Sequence, residues 1–194
     1  GRTDTGVHAR GQVANFITIS SIPSDKVFSS LNGILSDDIA VRSVEEVPLE
    51  FHSRYSAKER EYSYTISSLP TSLLHNFSWE YLSPLNLELM NAASDTLLGE
   101  HNFTSYCTSE KEVENKICTI VKAHWRKKGS EIKFCIRGNR FLHGMVRGLV
   151  GTLVDVGRKK ISIEQFSKIL LSQNRRHASQ SAPARGLCLE NVTY

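Results

Sequence analysis

The sequence has little of what marks a membrane, secreted or metal-binding protein. Its 194 residues contain no long apolar run and no charged-then-apolar leader, so we expect no membrane span and, by default, a cytoplasmic location. The cysteines form no C-x-x-C pair and have no histidine at metal-ligand spacing. There are four of them: Cys107, Cys118, Cys135 and Cys188. We expect reduced, mostly buried thiols and no metal site, with disulfides or zinc as the less favoured alternative.

An excess of positive charge is present but small. The chain carries 24 Lys and Arg against 20 Asp and Glu, a net charge of +4, which does not by itself indicate nucleic acid. The cations are clustered at 125–129, 157–160 and 174–177, however. Such clusters either bind phosphates or form solvated helix ends and turns, and charge alone does not decide between the two.

The first part of the chain has the pattern of a β-α-β unit. β-Favouring residues predict a strand over 11–19 and a second strand over 39–47. Between them, apolar residues at helical spacing predict a helix over 23–35, with four residues on its apolar stripe: Val27, Leu31, Ile34 and Leu35. Pro48 then interrupts the pattern, so that 48–53 is predicted to be a linker.

The second part reads β-α-β-β-α-α-β, which is the ferredoxin-like order with one added helix. Its predicted elements are a strand at 60–67, a helix at 83–99, strands at 117–125 and 131–138 joined through Gly129, helices at 140–157 and 162–172, and a strand at 187–194. The inward face of the first helix is predicted as Leu85, Leu89, Ala92, Ala93, Thr96 and Leu97. We therefore expect an α+β protein of two related halves: 1–48, the latter half of an N-terminal domain whose first part is missing, and 49–194, a C-terminal catalytic domain. The absence of an initiator methionine agrees with a missing first part.

Most of the functional question concerns one carboxylate, Asp4, in the stretch G-R-T-D-T-G-V-H-A-R. In the simplest interpretation it begins an Asx-turn and bonds to main-chain N–H groups. In a second, Asp4-Thr5-Gly6 is the D-T-G triplet of aspartic proteases, although the chain carries it only once and those enzymes need two carboxylates. In a third, Asp4 is a covalent nucleophile, which has to stay ionised in a desolvated pocket and therefore needs a neighbouring cation.

Two arginines are candidates for that cation. Arg2 lies beside Asp4 in sequence, and Arg147 lies in a helix whose core stripe is otherwise apolar. An unpaired buried charge is costly, so Arg147 either extends to solvent or pairs with a catalytic carboxylate. Tyr62 and Tyr64 share one face of a predicted strand, where each is either a core residue or an aromatic on which a nucleobase stacks.

Five segments together resemble the successive motifs of the TruA family, the bacterial tRNA pseudouridine synthases. In chain order they are GRTDTGVHARGQVANF, FHSRYSAKEREYSY, GEHNFTSY, NRFLHGMVRGLVGTLVDVG and ARGLCLENVTY. The resemblance implies the pseudouridine synthase fold, two ferredoxin-like α+β halves with mainly antiparallel sheets around a central cleft, in a homodimer. It also implies conversion of uridine to pseudouridine at positions 38, 39 and 40 of the tRNA anticodon stem-loop, without a metal or organic cofactor.

The same resemblance implies roles for individual residues. Asp4 corresponds to the catalytic aspartate, Arg147 to the arginine paired with it, Tyr62 to the aromatic that stacks on the uracil, and Arg2 to the arginine that assists base flipping. The F-H-S-R-Y segment corresponds to an RNA-contacting stretch, from which three substrate-binding residues are predicted: Phe51, His52 and Arg54. The alternative is a catalytically inactive RNA-binding fragment or paralogue, with the protease as a more distant one.

Overall fold

The computed structural model describes residues 2–108 and 114–194, so that Gly1 at the start of the first motif lies outside the described residues. The chain divides into two compact units, one made of 1–13 with 57–194 and the other of 14–56. None of the helices in the described residues is long and apolar enough to cross a membrane.

The smaller unit contains the predicted helix but neither predicted strand. Helix α1 spans Ser24–Ile34, within the predicted 23–35. Of its predicted stripe, Val27 and Leu31 are partly buried, whereas Ile34 is exposed and Leu35 lies just beyond the helix. The strands predicted at 11–19 and 39–47 are wrong, because both segments are described throughout and run outside any helix or ladder. A β-favouring composition forms a strand only when a neighbouring strand accepts its hydrogen bonds. Among the described residues neither segment forms a ladder, and the first one contacts a strand only where the N–H of Gly11 donates to the Leu189 carbonyl oxygen.

The larger unit is built on an open, mostly antiparallel sheet of seven strands. They are β1 (His8–Ala9), β2 (Glu59–Ser67), β3 (Trp79–Glu80), β4 (Gly99–Asn102), β5 (Ile117–Lys128), β6 (Glu131–Gly138) and β7 (Leu187–Thr193). The sheet order is β1-β7-β2-β6-β5-β4, and β3 pairs with the end of β2 beyond the residues that β7 covers. In the described part of the chain, the parallel pairs are β1 with β7 and β3 with β2. The structure is therefore α+β, as predicted, and the short strands β1, β3 and β4 were not foreseen.

The α-helices that the structure describes in this unit are α2 (Leu87–Asp95), α3 (Met145–Gly157) and α4 (Ile163–Leu171). With β2, β5, β6 and β7 they appear in the predicted order. Helix α4 begins at a capping box in which Ser162 and Gln165 bond reciprocally to main-chain N–H groups. The hairpin turn between β5 and β6 is also as predicted, with Gly129 at φ +59°.

The buried face of α2 differs by one position from the predicted one. Its buried residues are Met90, Ala93 and Ser94, whereas Ala92 is exposed. Positions 90, 93, 94 and 97 form an i, i+3, i+4, i+7 stripe, as the predicted positions 89, 92, 93 and 96 do, but displaced by one residue along the helix. Serine takes part because the Ser94 hydroxyl donates to the Met90 carbonyl oxygen at 2.8 Å and is thereby satisfied inside the core.

Helix α3 is the central helix of the core, since all but one of its residues are buried. The predicted stripe of Val146, Leu149, Val150 and Leu153 is confirmed, each of these residues being at most 4% exposed. The exception is Arg147, which is partly exposed. Of the four cysteines, Cys107 and Cys118 are buried and the other two are partly buried. Burial raises the pKa of Cys118 to about 11.

Candidate active site

Asp4 is the first residue of a tight turn. The N–H of Val7 donates to the Asp4 carbonyl oxygen at 3.0 Å, and Gly6 between them has φ +79°, which is typical of the third position of a type II turn. The chain then enters β1, whose pairing with β7 fixes the turn against the sheet. The Asp4 main chain thus closes the turn, while its carboxylate is directed to side chains of another element.

That other element is the beginning of α3, where Arg147 lies. Arg147 Nη1 is 3.2 Å from Asp4 Oδ2, and both side chains are 25% exposed. The prediction that an arginine in this apolar helix needs a partner is therefore matched by an ion pair with Asp4. The pair is partly buried, a setting in which the attraction of opposite charges is stronger than at a fully solvated surface.

Asp4 has a second neighbouring side chain, His143, that sequence reasoning missed. His143 Nε2 lies 3.2 Å from Asp4 Oδ1, and the other ring nitrogen, Nδ1, lies 3.1 Å from the hydroxyl of Thr108. His143 stands four positions before Arg147 in the F-L-H-G-M-V-R-G motif. The spacing between His143 and Arg147 was the available sign that both contact one group. Because α3 begins only at Met145, His143 lies before the helix, and the spacing could not be interpreted without the structure.

Tyr62 reaches the same region from β2. The ladder between β2 and β7 shifts register between Glu61 and Tyr62, a β-bulge of the kind that reorients side chains beside functional sites. The Tyr62 ring packs edge-on against the ring of Phe141 at a centroid distance of 5.2 Å. Burial raises the Tyr62 pKa to about 12, with nearby Arg60 opposing the shift and the negative charge of Asp4 adding to it. Tyr62 is thus within the electrostatic reach of Asp4.

Tyr64, on the same face, is a core residue. It is completely buried, its hydroxyl donates to the Pro183 carbonyl oxygen at 2.8 Å, and burial raises its pKa. The preceding carbonyl, that of Ala182, accepts a 2.8 Å hydrogen bond from Arg147 Nε, and Ala184 lies against Gly6. The segment just before β7 therefore supports the turn, the arginine and the tyrosine strand together.

The remaining predicted site residues lie in two different parts of the chain. Arg2 precedes the turn and is exposed. Phe51, His52 and Arg54 belong to the smaller unit. There His52 Nδ1 accepts the N–H of Arg54 at 3.0 Å and so shapes a turn, and the Arg54 guanidinium lies 5.4 Å from the ring centre of Tyr55. His52 thus has a local structural role, and the turn presents an exposed arginine and tyrosine.

Comparison with known proteins agrees with the resemblance described above. A family model described as tRNA pseudouridine synthase matches residues 1–56 and 93–194. The chain is 44% identical to tRNA pseudouridine synthase A of Halalkalibacterium halodurans over 96% of its own length and 72% of that protein. It is 43% and 41% identical to the proteins of that name from Brevibacillus brevis and Acetivibrio thermocellus, over all of this chain and 80% of each relative. The chain that holds Asp4 against Arg147 thus belongs to the tRNA pseudouridine synthase family.

Proposed function

We propose that this protein isomerises uridine to pseudouridine in tRNA, with the Asp4 carboxylate as the nucleophile. The observation that carries the proposal is the 3.2 Å ion pair between Asp4 and Arg147 in a chain of this family. A guanidinium at that distance stabilises the carboxylate form, which is the nucleophilic one. Among the described residues, the side chains that contact the Asp4 carboxylate are the guanidinium of Arg147 and the imidazole of His143, whereas an aspartic protease places a second carboxylate there.

The chemistry starts with access to the base. A stacked nucleotide has to be extruded before a side chain can reach it, at a cost of a few kcal/mol. Asp4 then donates an oxygen lone pair, either to the ribose C1′ or to a carbon of the base. The C1′–N1 bond breaks with its electron pair on the uracil, the base turns, and C5 bonds to C1′. C5 loses its proton to the surrounding groups or water, and Asp4 is released as a carboxylate.

Tyr62 is proposed to receive the extruded uracil by stacking, a contact worth about 1–3 kcal/mol per base. The edge-on contact with Phe141 holds the ring in one orientation. A phenol whose pKa is about 12 is neutral at physiological pH. Its hydroxyl is therefore a donor, or a relay that passes the C5 proton onward, and does not act as a phenolate base.

We propose the anticodon stem-loop of tRNA as the substrate, with positions 38, 39 and 40 as the target uridines. Arg2 is proposed to assist base flipping, and three residues to contact the RNA: Phe51, His52 and Arg54. The exposure of Arg2 and Arg54 is compatible with phosphate contacts. A homodimer, a cytoplasmic location and the division at residue 48 into two α+β domains remain part of the same proposal.

The test is tritium release from tRNA containing 5-tritiated uridine, with the protein expressed from its complete gene. Asp4→Asn preserves the shape of the side chain and removes its nucleophilic charge, so we expect tRNA binding to persist and release to stop. Asp95→Asn, at the end of α2, is the matched control and should release tritium like the unaltered protein. Full turnover by Asp4→Asn eliminates the nucleophile assignment, and binding without turnover by the unaltered protein supports the inactive RNA-binding alternative.

A further inference from the structure

The carboxylate of Asp4 is held at both oxygens, and we propose that His143, oriented by Thr108, is a positioning residue for it. This inference rests on the proposed function, since it assigns His143 the task of aiming the nucleophile. Arg147 binds Oδ2 and His143 binds Oδ1, each at 3.2 Å. A carboxylate bound at one oxygen still turns about its Cβ–Cγ bond, whereas one bound at both oxygens is fixed. A fixed nucleophile lowers the entropic part of the barrier to attack.

The contact with Asp4 determines which nitrogen of His143 carries the proton in the neutral ring, and the Thr108 hydroxyl adapts to the other nitrogen. An ionised carboxylate only accepts hydrogen bonds, so Nε2 is the protonated nitrogen facing Asp4. In the neutral ring Nδ1 then accepts from the Thr108 hydroxyl, 3.1 Å away. In the protonated ring Nδ1 donates to that oxygen, and the hydroxyl proton turns to the His143 carbonyl oxygen at 3.0 Å. Thr108 thus satisfies the ring in both states, and the bond to Asp4 is kept in both.

The backbone around His143 is built for this arrangement. The N–H of Thr108 donates to the His143 carbonyl oxygen at 3.0 Å, so the two residues are joined by main chain as well as by side chains. Gly144, the residue before α3, has φ +69°, a conformation that favours glycine. A Cβ at position 144 would lie 2.6 Å from Thr108 Oγ1. Glycine therefore leaves the space in which the threonine reaches the ring.

The inference is tested by single-turnover tritium release at saturating tRNA, with tRNA affinity measured separately by filter binding. We expect His143→Ala to slow release by about 10- to 100-fold while tRNA affinity changes by no more than roughly twofold. His143→Gln, whose amide reaches as far as Nε2 and donates, should recover a large part of the rate. His101→Ala on β4, whose ring bonds to the Leu98 carbonyl oxygen, is the control and should leave the rate unchanged.

Thr108→Val tests the orientation of His143 independently, because it keeps the shape of the Thr108 side chain and removes the hydroxyl that contacts the ring. It should slow release in the otherwise unaltered protein and have little further effect when combined with His143→Ala, since the two residues act as one unit. If His143→Ala fails to fold, His143→Gln and Thr108→Val carry the test, with far-UV circular dichroism as the check on folding.

A release rate for both His143→Ala and Thr108→Val that matches the unaltered protein overturns the inference. Asp4→Asn, run in parallel, separates this outcome from failure of the proposed function. An inactive Asp4→Asn with unslowed His143 variants leaves the nucleophile in place and removes only the positioning role. An active Asp4→Asn removes the proposed nucleophile, whatever the His143 variants do.

Discussion

Arg147 and Ala182 exchange two hydrogen bonds. The N–H of Ala182 donates to the Arg147 carbonyl oxygen at 3.0 Å, and Arg147 Nε donates to the Ala182 carbonyl oxygen at 2.8 Å. The second bond fixes the plane of the guanidinium and leaves Nη1 to contact Asp4. One planar side chain thus joins α3, the segment before β7 and the turn of Asp4, three parts of the chain that are distant in sequence.

The first prediction concerns the forked geometry of Arg147. Arg147→Lys keeps the charge but replaces the planar fork, whose Nε and Nη1 bind Ala182 and Asp4 separately, with a single flexible ammonium. We therefore expect single-turnover tritium release to fall by about 10-fold or more. Arg147→Met removes the charge and leaves Asp4 without one of its partners. It should lower the free energy of unfolding by about 1–3 kcal/mol, less than for a fully buried pair because a quarter of each side chain is exposed.

Urea unfolding and single-turnover assays measure these two effects separately. Since Met is long and apolar, the Met variant keeps most of the packing of the arginine stem, and its loss of stability reports the ion pair and the bond to Ala182. An Arg147→Lys protein as fast as the unaltered one would show that the fork has no part in catalysis. An unchanged urea midpoint for Arg147→Met would show that the pair with Asp4 adds nothing to stability.

The second prediction concerns the pH dependence of stability that Tyr62 contributes. Its pKa is about 12 in the folded protein, against 10.0 for an unperturbed tyrosine, mainly because of burial. Below pH 10 both the folded and the unfolded states hold the proton. Between pH 10 and 12 the unfolded state releases it first and is favoured, so stability is lost as the pH rises through this window. For a shift of this size the loss is roughly 2–3 kcal/mol at most.

Tyr62→Phe removes this contribution and keeps the ring. Between pH 10 and 12 we expect the free energy of unfolding to fall more steeply with pH in the unaltered protein than in Tyr62→Phe. Below pH 10 the free energies of unfolding of the two proteins should depend on pH in the same way. Tyr64 and Tyr106 are unchanged in both proteins, so their own raised pKa values cancel in the comparison. Urea midpoints at several pH values give the result, and parallel curves up to pH 12 would contradict the burial of the Tyr62 hydroxyl.

Much of the larger unit was predictable because its elements bury one face at a regular period. The core stripe of α3, the hairpin at Gly129 and the capping box of α4 all follow from local sequence. The strands at 11–19 and 39–47 were wrong because a strand depends on a partner as much as on its own residues. The strands β3 and β4, of two and four residues, are too short to show a period at all.

The sequence predicts those site residues whose burial requires a partner of opposite charge. A cation in an apolar helix needs a counter-charge, which pointed from Arg147 to Asp4 across the chain. His143 gave no such sign, because an isolated histidine before a glycine is compatible with many surroundings. Its contact with Asp4 depends on the left-handed backbone at Gly144 and on the approach of Thr108, both of which are tertiary features.

The last prediction compares two helical glycines that should respond to alanine in opposite directions. Gly33 lies in α1, and among the described residues no atom comes within 4 Å of a Cβ placed there. Gly33→Ala should therefore stabilise the protein by up to about 1 kcal/mol, the usual difference in helix propensity. At Gly151 in α3 a Cβ would lie 2.0 Å from the Gln180 carbonyl oxygen and 3.3 Å from the Ala182 nitrogen. There the clash outweighs propensity, and Gly151→Ala should destabilise by about 1–3 kcal/mol.

Gly151→Ala should also slow catalysis, because the segment it displaces carries the Ala182 carbonyl that orients Arg147. Urea unfolding gives the sign of both stability changes, and single-turnover tritium release gives the rate. Gly33→Ala provides the control for any general effect of replacing a helical glycine. A stabilised Gly151→Ala protein would mean that α3 and the 180–182 segment are not in close contact, whereas a destabilised protein of unchanged rate would mean that Arg147 reaches Asp4 without that support.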